Sequence, residues 1–190
     1  MRARLVAFSS FFALALTACS NDLPVPHLRQ EKLLCVPTSA AMILAFYGDS
    51  ESPRKLKMMA LGERYDPDAR FDSFSITRYA DIIHAVQKLG YQWTEMTLPD
   101  DDQGFSSGMG ILKSEIASGH PVMIDLTLPY GHTVVVTGIN SFAKTISIVD
   151  PNQPAPGKGN LGFDQLEASW NEHAYGNHFR SLIVTQQKSA

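Results

Sequence analysis

The sequence predicts an α+β fold, with helices first and an antiparallel sheet afterwards. Three observations carry this. Up to Ser118, apolar residues recur mainly at helical spacing, punctuated by Pro and Gly. From Pro121 to Val149 the pattern changes to three apolar runs, PVMIDLTL, HTVVVTGI and KTISIV, the latter two rich in β-branched residues. The links between those runs are a few residues long, too short for a crossover, so neighbours pair antiparallel.

Bulk properties set the frame. The chain has 190 residues, 44% of them hydrophobic, and a formal net charge of -3. That suits one globular domain with a real core. There is no basic cluster, so no nucleic-acid partner is expected. No cofactor and no metal are expected either.

Residues 1–18 read as an export signal. Arg2 and Arg4 precede the mostly apolar run Leu5 to Leu16, which is too short to span a bilayer comfortably. The run ends in Leu16-Thr17-Ala18-Cys19, which resembles a bacterial lipobox. Cleavage there leaves Cys19 as an acylated N-terminus, and two or more chains suffice for stable anchoring. Residues 19–26 are then the lipidated N-terminus and a short tether, and 27–190 the domain. The expected location is the cell envelope, lipid-anchored, on the outer membrane facing the periplasm if the host is Gram-negative. Removing Arg2 and Arg4 leaves the mature chain more acidic, which disfavours an anionic membrane surface as a partner.

The elements follow in order. Val25 to Leu28 is expected as a short edge strand. Val36 to Tyr47 is a helix, nearly continuously apolar and so buried on most sides, with Pro37 in its first turn and Gly48 as its stop. A second helix takes Ser52 as N-cap and Pro53 as its first residue and runs to about Leu61. Tyr65 to Ser73 is a charged loop that could flank a cleft. A third helix runs from a Ser75 cap to Leu89, with Ile76, Tyr79, Ile82, Ile83 and Val86 on one face. Tyr91 to Leu98 is a strand, Pro99 to Gly104 an acidic loop, and Ser107 to Ser118 a helix ended by Gly119. After the three strands, Asn152 to Asn160 reads as a flexible loop. Phe163 to Trp170 is a short helix, and Phe179 to Thr185 a final strand. Trp93 and Trp170 are expected in the core or on a cleft wall.

Two cysteines are present. If Cys19 carries lipid, Cys35 is the remaining thiol and has no disulfide partner. A lone thiol in an exported chain is either buried and inert or kept because it reacts. Cys35 stands at a helix start, where the helix dipole favours the nucleophilic thiolate. His132 opens one strand and Asp150 closes the next. In a hairpin of that size the two fall side by side at one sheet edge. An imidazole there can take a thiol proton, and a carboxylate can fix its tautomer. Gln30 and the backbone N–H of Cys35 supply the two donors of an oxyanion hole.

The order Gln30, Cys35, His132, Asp150 resembles the papain-like cysteine peptidases. The segments QEKLLCVPTSAAMILAFYG, GHPVMIDLTLPYGHTVVVTGIN and ISIVDPN, with the FDQLEASW helix, are most similar to the bacteriocin-processing (double-glycine) peptidase-like branch. The resemblance covers the chain from about Val25 onward. It implies a papain-like fold, Cys35 as nucleophile, His132 as base, Asp150 as orienting residue and Gln30 as oxyanion donor. Gln30 stands one position closer to the cysteine than is common in papain-like enzymes, and Val36 replaces a frequent glycine.

The expected function is an envelope-anchored thiol hydrolase acting by acyl transfer on a peptide or amide bond, with a peptide or protein substrate. One rival is a cell-wall amidase or transglutaminase-type acyl transferase on the same scaffold. Another is a catalytically inactive papain-like domain serving as a binding or secretion adaptor. The remaining histidines carry less. His173 and His178 lack a clear third metal ligand, and His27, His84 and His120 read as ordinary. Asp125, inside an apolar strand, reads as paired or edge-exposed.

Overall fold

The computed structural model describes residues 22–65, 76–127 and 131–188. The signal sequence, Cys19, the charged loop beyond Tyr65, the Ser75 cap and the Pro129-Tyr130 link lie outside those residues.

Residues 22–34 run as extended coil and turn into α1 (Cys35–Phe46). The expected edge strand at Val25 to Leu28 does not form. Pro24 and Pro26 have no N–H to give to a ladder, and the segment touches the sheet through one backbone bond, Leu23 N–H to Thr137 O at 2.8 Å. Cys35 is the first helical residue. α2 (Pro53–Leu61) begins as its sequence indicates, the Ser52 side chain accepting from Lys55 N–H. α3 (Tyr79–Gln87) begins at Tyr79, after Ile76 to Arg78 outside the helix; the Asp81 carboxylate accepts from the Arg78 N–H and closes its first turn.

β1 (Thr94–Pro99) is followed at once by α4 (Asp102–Ala117). The second half of the expected acidic loop, from Asp102, is therefore helix. Asp101 is its N-cap, accepting from Gly104 N–H at 2.7 Å; an acidic side chain at a helix start satisfies free donors and the dipole. β2 (Val122–Leu126), β3 (His132–Asn140) and β4 (Thr145–Val149) form the meander. The expected flexible loop contains a strand, β5 (Lys158–Gly162), which pairs with β4 from Thr145↔Gly162 to Val149↔Lys158. Its sequence KGNLG carries no alternating apolar signal, because an edge strand needs only backbone pairing. α5 (Phe163–Ser169), a 3-10 turn at His173–Tyr175 and β6 (Phe179–Val184) complete the chain.

The six strands form one antiparallel sheet in the order β1-β6-β2-β3-β4-β5. Helices cover both faces. Met123, Val135, Val149 and Ile183 pack under α1, α2 and α3. Val122, Ile124, Val134, Val136 and Leu182 pack with Met109 and Leu112 of α4 and with Leu166 and Trp170. Strand side chains alternate between faces, so a central strand covered on both sides must be apolar throughout. β2 obeys this, with one exception: Asp125, which is 6% exposed. Trp93 and Trp170 are core residues, and Trp170 Nε1 donates to Ser181 O at 2.8 Å.

Candidate active site

The site lies where the start of α1 meets the edge of the β3–β4 hairpin. Three local features place the thiol. The first intrahelical bond runs from Thr38 N–H to Leu34 O, 2.8 Å, so the Cys35 N–H has no intrahelical acceptor. Leu33 holds a left-handed backbone, φ 61°, which turns the chain sharply into the helix. Lys57 from α2 donates to the Leu33 carbonyl at 3.1 Å and helps fix that turn.

His132 and Asp150 meet as the hairpin topology requires. β3 and β4 pair from Asn140↔Thr145 back to Val135↔Val149, with an irregularity between Val136 and Gly138. His132 Nε2 lies 2.6 Å from Asp150 Oδ1. That leaves Nδ1 as the ring nitrogen available to a thiol. Asp150 Oδ1 also accepts from Asn152 N–H at 2.7 Å. Burial opposes charge on His132, but the bonds to Asp150 and Cys35 win and hold the imidazolium up to a pKa of about 9. Burial likewise opposes charge on Asp150, and the His132 and Asn152 donors keep its carboxyl below the usual range.

Gln30 reaches the same place. Its N–H donates to Pro151 O at 2.8 Å, which ties the entry segment to the loop after Asp150. Its Nε2 lies 3.5 Å from Asn152 Oδ1, a long bond, and its Oε1 is buried without a partner among the described residues. Gln30, Cys35, His132 and Gly131 line one small cavity of about 120 Å³. All three residues expected to touch a reacting carbonyl thus share one cavity, with Asp150 behind the imidazole.

Tyr175 is a wall of that cavity that the sequence did not single out. It sits in the 3-10 turn before β6, directly over Gly131. A side chain at Gly131, φ 80°, would collide with its ring. Of the two histidines noted above, His173 has an acidic partner, and its ring lies 5.3 Å from that of His178. His173 Nε2 lies 2.5 Å from Asp100 Oδ2, and Asp100 Oδ1 is 3.0 Å from Arg180. Among the described residues no group of three or more His, Cys, Asp or Glu side chains is placed to hold a metal.

A helical face carrying a thiol, set against a sheet edge carrying a hydrogen-bonded His–Asp pair, defines the papain-like cysteine peptidase class of fold. The chain matches the Peptidase_C39 like family over residues 22–177 and belongs to it. Solved structures share the fold. A double glycine motif protease from an AMS/PCAT transporter, in complex with the leader peptide, is 17% identical and superposes with a TM-score of 0.55, covering 88% of this chain and 96% of that one. The peptidase domain of Streptococcus ComA, a bi-functional ABC transporter involved in a quorum sensing pathway, is 16% identical with a TM-score of 0.58, covering 85% and 99%. A comparison with curated protein sequences found no match.

Proposed function

We propose that this chain is a cysteine peptidase of the cell envelope, with Cys35 as nucleophile, His132 as base, Asp150 as the residue that orients it and Gln30 as oxyanion donor. The observation that carries the reading is the shared cavity of Gln30, Cys35 and His132, with Asp150 2.6 Å behind the imidazole. Family membership supports a peptide substrate, and the neighbour solved with a leader peptide is an example of one.

In this reading His132 Nδ1 takes the thiol proton. The thiolate attacks the carbonyl carbon, forming a C–S bond, and the carbonyl oxygen becomes an oxyanion. The Cys35 N–H and the Gln30 amide stabilise it. The weak bond of Gln30 to Asn152 is easily exchanged for one to an oxyanion. The tetrahedral species collapses, the C–N bond breaks and His132 gives its proton to the departing amine. A water, deprotonated by His132, then cleaves the thioester and restores the thiol.

The anchor is part of the proposal and rests on the sequence around Cys19. Mass spectrometry of the mature chain should find an acylated N-terminal cysteine, and Cys19→Ser should move the protein to the soluble fraction. For the chemistry, iodoacetamide should label Cys35 faster than a model thiol, and Cys35→Ala should abolish both labelling and peptide hydrolysis. A wild-type rate equal to that of the model thiol would reject an activated nucleophile.

A further inference from the structure

A second cavity, of about 600 Å³, adjoins the thiol cavity. The two share Ile76, Thr77 and Tyr175 as walls. Among the described residues three carboxylates line the larger one, Glu95, Asp125 and Glu172, against one cation, Arg78.

Two of the carboxylates are held in place by neutral donors. Glu172 accepts from the Ser181 hydroxyl and from Asn177 Nδ2, the latter at 2.9 Å. Asp125 accepts from the Thr133 hydroxyl. Among the described residues neither makes a salt bridge. A buried carboxylate ordinarily has a cation against it. Here Asp125 is buried, Glu172 half-buried and Glu95 exposed, and among the described residues no cation forms an ion pair with any of them. The fields reinforce one another: burial, then Glu172, raises Glu95, and burial raises Asp125 to about 7, with Glu172 adding to it. Tyr175 lines both cavities, so it stands between the thiol and the acidic wall.

A second feature is independent of charge. Thr77 is 3% exposed, lines both cavities, and its hydroxyl has no hydrogen-bond partner among the described residues. The Tyr79 hydroxyl, on the same wall, lies near Thr133 and Asp125. Buried hydroxyls left unsatisfied next to a cavity are costly unless a ligand completes them.

We infer that this cavity is a substrate subsite for a cationic side chain, an ammonium or guanidinium group on the peptide whose scissile carbonyl lies at Cys35. The inference rests on the peptidase reading for what the substrate is, but not for whether the cavity takes a cation. A side-chain ammonium fits the volume, supplies the missing counter-charge and offers several donors. Tyr175, as the shared wall, sets the path from the carbonyl to the cation.

The test uses a set of otherwise neutral peptides carrying one Lys, norleucine or Glu, moved through the positions around the cleavage point. In one register kcat/KM should favour Lys over norleucine by roughly ten-fold, as a hydrogen-bonded charge pair implies, with Glu poorest. In the double variant Glu95→Gln/Glu172→Gln the Lys to norleucine ratio should fall towards one; circular dichroism confirms its fold. A flat series, or a Lys preference that survives the double variant, overturns the inference while leaving the peptidase reading standing. If no peptide is hydrolysed, the peptidase reading fails, and fluorescence anisotropy of the same labelled peptides on the Cys35→Ala chain decides the subsite. Tighter Lys binding that the Glu95→Gln/Glu172→Gln changes abolish supports it, and equal affinities overturn it.

Discussion

His132 shows how much one residue depends on its neighbours. Alone, its imidazole would be largely neutral at neutral pH; beside Asp150 and Cys35 its pKa is about 9. Replacing Asp150 by Asn removes the larger of those two supports. The His132 titration, followed by NMR, should therefore move to lower pH in Asp150→Asn. No movement would mean that Asp150 does not carry the effect. In the proposed mechanism Gln30 acts on a different step. Gln30→Ala should lower kcat by roughly 10²–10³, the usual loss of an oxyanion donor, while iodoacetamide labelling of Cys35 stays fast, because alkylation forms no oxyanion. Equal losses in both assays would place Gln30 in thiol activation instead.

Elements set where these residues can stand. α1 carries the thiol, but the turn before it aims the helix. Leu33 pays a left-handed backbone of order 1–2 kcal/mol for that turn, and Lys57 from α2 holds its carbonyl. Lys57→Met should lower both the melting temperature and kcat/KM, with the acylation rate falling more than peptide affinity, since the nucleophile loses its aim. An unchanged acylation rate would show that the turn is held by other means. On the opposite face α4 packs close to Trp170 through Gly108. A Cβ there would lie 2.6 Å from the indole ring. Gly108→Ala should destabilise the fold by about 1–3 kcal/mol through overpacking, read in denaturant melts, without altering Cys35 labelling in the folded protein.

At the scale of the whole molecule, two buried groups give stability a pH profile. Asp125 has a folded pKa of about 7 against 3.8 unfolded. Between those values the unfolded chain binds fewer protons, so stability falls as pH rises, and the loss is complete above about 7. His132 is also raised, about 9 against 6.5, so its contribution is full below 6.5 and is lost as pH rises through 9. The melting temperature should therefore decline from pH 5 to 9 in two stages. Asp125→Asn should remove the first and His132→Gln the second. A single stage surviving both substitutions would reject this assignment. Asp150 acts in the other direction, adding stability above its unfolded pKa that is lost in acid.

Much of this was legible in the chain. The order of helices and strands, the antiparallel pairing and the meeting of His132 with Asp150 follow from periodicity and short links, which act locally. Ser52 and Pro53 mark α2 by chemistry that needs nothing beyond the next turn. The errors fall where backbone pairing or distant packing decides. β5 forms because β4 offers it a ladder, although KGNLG has no strand pattern. Val25 to Leu28 stays unpaired because Pro24 and Pro26, just before and within it, cannot donate. Asp125 was visible only as a polar residue in an apolar strand. That it lines a cavity with Glu95 and Glu172, from β1 and from the segment before β6, required strands far apart in sequence to be set side by side. Tyr175 gave no signal at all, since its role comes from Gly131 lying beneath it. The sequence by itself determined the fold class and brought out Cys35, His132 and Asp150 as side chains that meet, because those rest on local pattern and hairpin geometry. Only the tertiary structure decided the cavity walls and the buried charges, because both are sums over residues that approach only when the sheet closes between its two layers of helices.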